Sequence, residues 1–236
     1  MVCDKSKRGV LQMSYISCEK LIWDHIAKAP EDSVFALNDF SLCGSDDSIR
    51  KVLSRASLSD KLVRITDGIY ALPDNPSPSP AKVAGALSRN HHWIIRPGTE
   101  LAREDLRLES FLQPYDVYYS SGPTISYTYG PPMDKKKFRL LRITRRFIYE
   151  MSYGASVVVI ALMDLDEHRI TAEEVLYLSK LLSKEIKQDL LRHLSLIPAR
   201  LRPIIELICG SYGRVSRPST PIKQKTIDID EDDMPF

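Results

Sequence analysis

Between Ser17 and Pro30 the apolar positions Leu21, Ile22 and Ile26, with His25, recur at three- and four-residue intervals, which predicts a helix. Ser17 can cap it, Glu19 suits the positive end of the helix dipole, and Pro30 stops it. A short apolar Val34-Phe35 follows, then a compact Leu37-Asn38-Asp39-Phe40, with Gly44 as a break. Ser45 opens a second strong helix with Asp46 and Asp47 in its first turn. Its apolar face is Ile49, Val52, Leu53 and Ala56, and its other face shows Arg50, Lys51, Ser54 and Arg55. Leu62 to Ile65 and Ile69 to Leu72 are β-prone runs separated by Thr66-Asp67-Gly68, a hairpin signal.

Three helices followed by a hairpin is the order of a winged helix-turn-helix, in which the third helix enters the major groove of duplex DNA. The helix contacts would be Arg50, Lys51 and Arg55, with Ser48 and Ser54 as donors to base edges or phosphates, and Lys61 and Arg64 flanking the wing. The plain alternative is that these charges are the solvated face of an ordinary amphipathic helix. Capped helix, basic face and hairpin in this order favour the DNA reading.

Pro73 to Pro80, a Pro/Ser stretch, reads as a stiff, extended linker over 74–80. After it, Ala81 to Ser88 reads as a short helix, His92 to Arg96 as a strand, and Pro97 to Ala102 as a helix start. Val117 to Ile125 reads as strand-turn-strand and Arg139 to Ile143 as another strand. Helices from Arg146, Thr171 and Ile197 complete a mixed α/β unit over 81–209.

The stretches Val34-Phe35 with Asn38-Asp39-Phe40, Ser48 to Arg55, and Leu62 to Pro73 resemble the AbiEi-like antitoxins, bacterial type IV antitoxin and transcriptional-regulator proteins. The pattern is an aromatic and "DF" on helix two, "LSR" on helix three and a "G-x-Y" wing ending in proline. Ala56-Ser57 stand where leucine is usual, and Ser121 replaces an acidic residue in the turn before Pro123. The likeness runs over about residues 14 to 210. It implies an N-terminal winged helix and a second domain that neutralises a nucleotidyltransferase-like toxin. A free-standing regulator is the other form the resemblance allows.

Charge sharpens this picture. The chain carries +2 overall, and Asp228, Asp230, Glu231, Asp232 and Asp233 all lie in the last ten residues; without those five carboxylates the net charge is +7. A basic body and an acidic tail suggest an anionic partner for one and a basic partner for the other. Gly210 to Lys225 reads as a flexible basic linker, and 226–236 as a disordered acidic tail. The ending Asp230-Glu231-Asp232-Asp233-Met234-Pro235-Phe236 is similar to the C-terminal tip of bacterial single-stranded DNA-binding proteins. That resemblance implies docking on replication or repair proteins. A solubilising tail, or one that folds back on the basic body and competes with DNA, are the alternatives.

Several classes are argued against. No Gly-rich phosphate loop, nucleophile elbow or H-E-x-x-H is present, so an enzyme is not expected, nor is a cofactor. Adjacent His91 and His92 on a strand would point to opposite faces, and Asp164, Asp166, Glu167 and His168 read as a polar turn, so no metal is expected. Cys3, Cys18, Cys43 and Cys209 lack metal-ligand spacing and suit a reducing compartment. The longest apolar run, Ala155 to Met163, is too short to span a bilayer, and 1–13 lacks an apolar signal core, with Met13 an alternative start.

The expectation is therefore an α+β protein of the cytoplasm. A winged helix-turn-helix occupies 14–73, and the function is repression of its own promoter with a nucleotidyltransferase-like toxin as a further partner. The alternative is an adaptor or mimic acting through the acidic Pro-Phe tip.

Overall fold

The computed structural model describes residues 17–110, 112–163 and 170–210, so the expectations for 1–13, for the Asp164 to His168 cluster and for the chain beyond Gly210 lie outside the described residues. The fold is α+β. It begins with α1 (Cys18–Ile26), β1 (Val34–Ala36), a short 3-10 turn (Leu37–Phe40), α2 (Asp46–Leu58), β2 (Val63–Thr66) and β3 (Ile69–Ala71). Ser17 caps α1 by accepting from the Lys20 amide, and Ser45 caps α2 by accepting from the Ser48 amide. The apolar stripe of α2 packs with Ile22, Ile26, Phe35, Phe40 and Leu62 into a first core. Each such buried aliphatic side chain contributes about 1.5–3 kcal/mol.

The apolar Val34-Phe35 run becomes an edge strand of an antiparallel sheet, order β1-β3-β2. Gly68 turns the β2–β3 hairpin with φ +70, and a Cβ there would come within 2.9 Å of Asn90. The turn therefore needs glycine both for its backbone and for the close approach of the next helix.

The second half contains α3 (Pro80–His91), β4 (Ile95–Pro97), α4 (Thr99–Asp105), β5 (Asp116–Ser120), β6 (Ile125–Tyr129) and β7 (Lys136–Arg142). It continues through α5 (Phe147–Glu150), α6 (Tyr153–Met163), α7 (Ala172–Leu181), α8 (Lys184–Arg192) and α9 (Arg202–Ile208). Residues 155–163 of α6 are buried throughout, which is why that run shows no amphipathic period.

Two expectations are refined and one is corrected. The 74–80 stretch, expected as a stiff, extended linker, is packed into the fold. Ser77 and Pro78 are buried, the Ser77 hydroxyl donates to the Asp134 carbonyl at 2.9 Å, and Tyr129 donates to the Pro78 carbonyl at 2.7 Å. The apolar core is continuous across it: Val34, Ala36 and Ile69 pack with Val83, Leu87, Phe138 and Leu140. The reason is α3, which lies between the two sheets and contacts both, so the expected boundary between 14–73 and 81–209 carries shared packing.

The Val117 to Ile125 segment is strand-turn-strand as expected, β5 then β6, but the two strands do not pair with each other. The sheet order is β4-β5-β7-β6, with β7 inserted between β5, which it meets in parallel, and β6, which it meets antiparallel. Alternating patterns give strands but not partners.

His91 and His92 are not on a strand. His91 ends α3, and His92 takes the left-handed conformation at its C-terminus with φ 55. His91 stacks on Trp93 at 4.3 Å, and β4 begins only at Ile95. Among the described residues, no three His, Cys, Asp or Glu side chains cluster as metal ligands would, and no helix is long and apolar enough to cross a membrane.

Candidate nucleic-acid interface

The core side of α2 determines where its charges go. With Ile49, Val52, Leu53 and Ala56 buried, helical geometry turns Arg50, Lys51, Ser54 and Arg55 outward, and all four are exposed. They line a shallow open recess of about 590 Å³. Among the described residues Arg50 and Lys51 have no carboxylate partner within ion-pair distance. Arg55 has only a loose one, Glu19 of α1 at 4.0 Å, and its Nε donates to the Lys51 carbonyl at 3.3 Å.

The hairpin carries a further cation. Arg64 of β2 is half exposed and pairs with Asp67 in the turn. Burial pushes the Tyr70 hydroxyl above its ordinary value, while Arg64 and Arg50 both act on it in the lowering direction. Cations of the helix and of the hairpin thus both bear electrostatically on Tyr70, opposed by Asp67 of the turn.

The remaining expected residues are placed differently. Ser48 is half-buried, and its hydroxyl shares a 2.9 Å hydrogen bond with Ser45, so it serves the helix cap. Lys61 stands over the Trp23 ring at 5.8 Å, which draws it toward α1 rather than the hairpin turn. The tip residues Asp230, Glu231, Asp232, Asp233, Met234, Pro235 and Phe236 lie outside the described residues.

Two features escaped the reading of residues. Leu58, 83% exposed, lies on the outer face of α2 beside Lys51 and Ser54, a position visible from the 3.6-residue period. The field at the α2 N-terminus is acidic, because Asp46, Asp47 and the Ser45 cap already satisfy it. A phosphate is therefore attracted to the middle and end of α2, not to its first turn.

Anchoring of this surface comes from α3. Arg89 donates from Nε to Asp39 at 2.8 Å and from Nη2 to the Val34 carbonyl at 2.9 Å, and Asn38 donates to the Asn90 carbonyl at 2.9 Å. The 3-10 turn before α2 is thereby tied to the middle of the molecule.

Residues 21–190 match the model of a family described as a family of unknown function (DUF6088), and the chain belongs to that family. No curated protein matches it.

Proposed function

We propose that the protein is a DNA-binding transcriptional regulator whose α1-to-β3 region acts as a winged helix-turn-helix. In this reading α2 is the recognition helix and the β2–β3 hairpin is the wing. The observation that carries it is the row Arg50, Lys51 and Arg55, exposed on α2. Cations left without tight carboxylate partners are available to phosphates, and their counterion release makes affinity depend on salt. Arg50 and Arg55 would position the duplex, Ser54 lies where a base-edge contact is within reach, and Leu58 offers an apolar contact such as a thymine methyl takes.

The reading is non-catalytic and cytoplasmic, with autoregulation of the antitoxin type. The resemblance to AbiEi-like antitoxins supports it and extends it to a nucleotidyltransferase-like toxin as partner of the second half.

The test is binding of the purified protein to its own upstream DNA across a salt series. Arg50→Ala with Arg55→Ala is expected to weaken binding about 10- to 100-fold and to lower the salt slope by about two. Equal, weak binding by both proteins would overturn the reading.

A further inference from the structure

The second sheet leaves one face partly uncovered. Helices α4 and α6 pack against β4 and β5, whereas Ser126 and Thr128 of β6 and Lys137 of β7 are exposed. The strand register puts these on one face: Thr128 opposite Lys137, Ser126 opposite Arg139, and Arg139 opposite Val117. Lys137 stands over the Tyr115 ring at 4.8 Å, and Lys135 is exposed in the turn that leads into β7. Among the described residues, Lys135, Lys136, Lys137 and Arg139 join no ion pair. Arg139 Nε is moreover the buried side-chain nitrogen left without a hydrogen-bond partner among the described residues. Buried donors are nearly always satisfied, so an unpaired one at the margin of a basic face points to something that completes it.

Beside this face, between α4 and the sheet, lies a recess of about 310 Å³ whose apolar walls include Leu101, Leu112, Val117 and Leu141. Glu100 and Glu104 close its α4 side, and Asp116 of β5 also lines it. An occupant must therefore present carboxylates toward β7 and apolar side chains toward the recess.

We propose that this face seats the acidic C-terminal segment of the same chain, residues 227–236. That segment carries five carboxylates and no Lys or Arg, interleaved with Ile227 and Ile229 and ending in Met234-Pro235-Phe236. The chain from Gly210 to Asp228 can span up to about 60 Å when extended, enough to reach the sheet. A carboxylate presented to Arg139 engages Nε and one terminal nitrogen together after a small shift of the side chain. The other basic surface, on α2, is a poorer seat. Asp46 and Asp47 stand on α2 itself, and the recess there, lined by Arg50, Lys51, Ser54 and Arg55, has the single exposed Leu58 beside it where the recess by β7 has four apolar walls. This inference does not depend on DNA binding.

The experiment uses the full chain with its tail neutralised by Asp228→Asn, Asp230→Asn, Glu231→Gln, Asp232→Asn and Asp233→Asn. A fluorescent peptide of residues 226–236 is titrated by anisotropy. It is expected to bind the neutralised chain, and to bind the unaltered chain roughly tenfold more weakly because the native tail competes. Adding the exposed changes Lys135→Glu and Lys137→Glu to the neutralised chain is expected to weaken the peptide by roughly tenfold or more, with an unchanged thermal midpoint showing that the fold is kept. Arg139→Ala is expected to weaken it too. Absence of binding, indifference to Lys135 and Lys137, or loss on Arg50→Ala with Arg55→Ala instead would overturn the assignment. So would a native dimer that becomes monomeric on tail neutralisation, which would make the occupant a second copy's tail.

Discussion

In the N-terminal region the cations of α2 stand in solvent, with Arg50 and Lys51 unpaired among the described residues. In the second half, arginines of comparable length are drawn inward. Arg103 is 5% exposed, pairs with Glu174 at 3.1 Å, and donates to the carbonyls of Glu109 and Ala161. Arg96 donates to the Ser156 hydroxyl at 2.9 Å and stacks over Tyr153 at 5.1 Å, while burial lowers its pKa from the ordinary arginine value. The same side chain thus does two jobs. Where its hydrogen-bonding groups are satisfied internally it ties α4, α6 and α7 together; where they are left to solvent it is available to a polyanion.

That contrast is sharpest at Arg103. Replacing it with Ala leaves a partly buried Glu174 without its cation and the Glu109 and Ala161 carbonyls without this donor, so the cost should be about 2–3 kcal/mol in unfolding free energy. Adding Glu174→Gln should recover part of that loss, since the orphaned charge is gone. Full additivity would mean that the pair is not coupled.

On the N-terminal side the strongest local dependence is the α2 cap. Ser45→Ala removes the acceptor for the Ser48 amide and frees the Ser48 hydroxyl, which should cost about 1 kcal/mol by thermal unfolding. No loss of stability would mean that this cap is not what holds the first turn of α2.

Asp189 provides a pH-dependent comparison. Burial pushes its carboxyl up, but hydrogen bonds from Ser152 and the His193 contact outweigh this and hold it below the ordinary value. The Ser152 amide donates at 2.8 Å, and the Asp189 side chain is 13% exposed. A depressed carboxylate stabilises the fold above its unfolded value of about 3.9, and that contribution is lost as pH falls through the folded value. Asp189→Asn should therefore be less stable by about 1 kcal/mol at neutral pH. The gap should close below about pH 4; one that persists at lower pH would point to packing instead.

The smallest expected effect separates function from fold. Arg50→Ala with Arg55→Ala should change unfolding free energy by less than about 0.5 kcal/mol, because only a 4.0 Å contact and an exposed hydrogen bond to the Lys51 carbonyl are lost. A larger loss would place these cations in the architecture, like Arg103.

Much of the first region was legible residue by residue. The caps Ser17 and Ser45, the buried stripe of α2 and the glycine turn at Gly68 all depend on neighbours within a few positions, and their chemistry is local. The outward face of α2 followed from the same period, so the candidate contacts could be named before any coordinates. Ser48 and Lys61 were less readable, because a shared cap hydroxyl and a distant Trp23 ring redirect them. The basic run Lys135 to Arg139 was visible as charge, but nothing in its spacing told which side chains would share an open face.

Sequence by itself determined the helices and strands of the first region with their caps, and the asymmetry between a basic body and an acidic tail. It did so because propensity, periodicity and charge are properties of short windows. Only the tertiary structure decided that β7 enters between β5 and β6, that α3 joins two sheets through a stretch resembling a linker, and which arginines are buried. Those outcomes depend on contacts between residues dozens of positions apart. There the balance of desolvation against pairing is settled by what the fold brings alongside, and no local pattern encodes it.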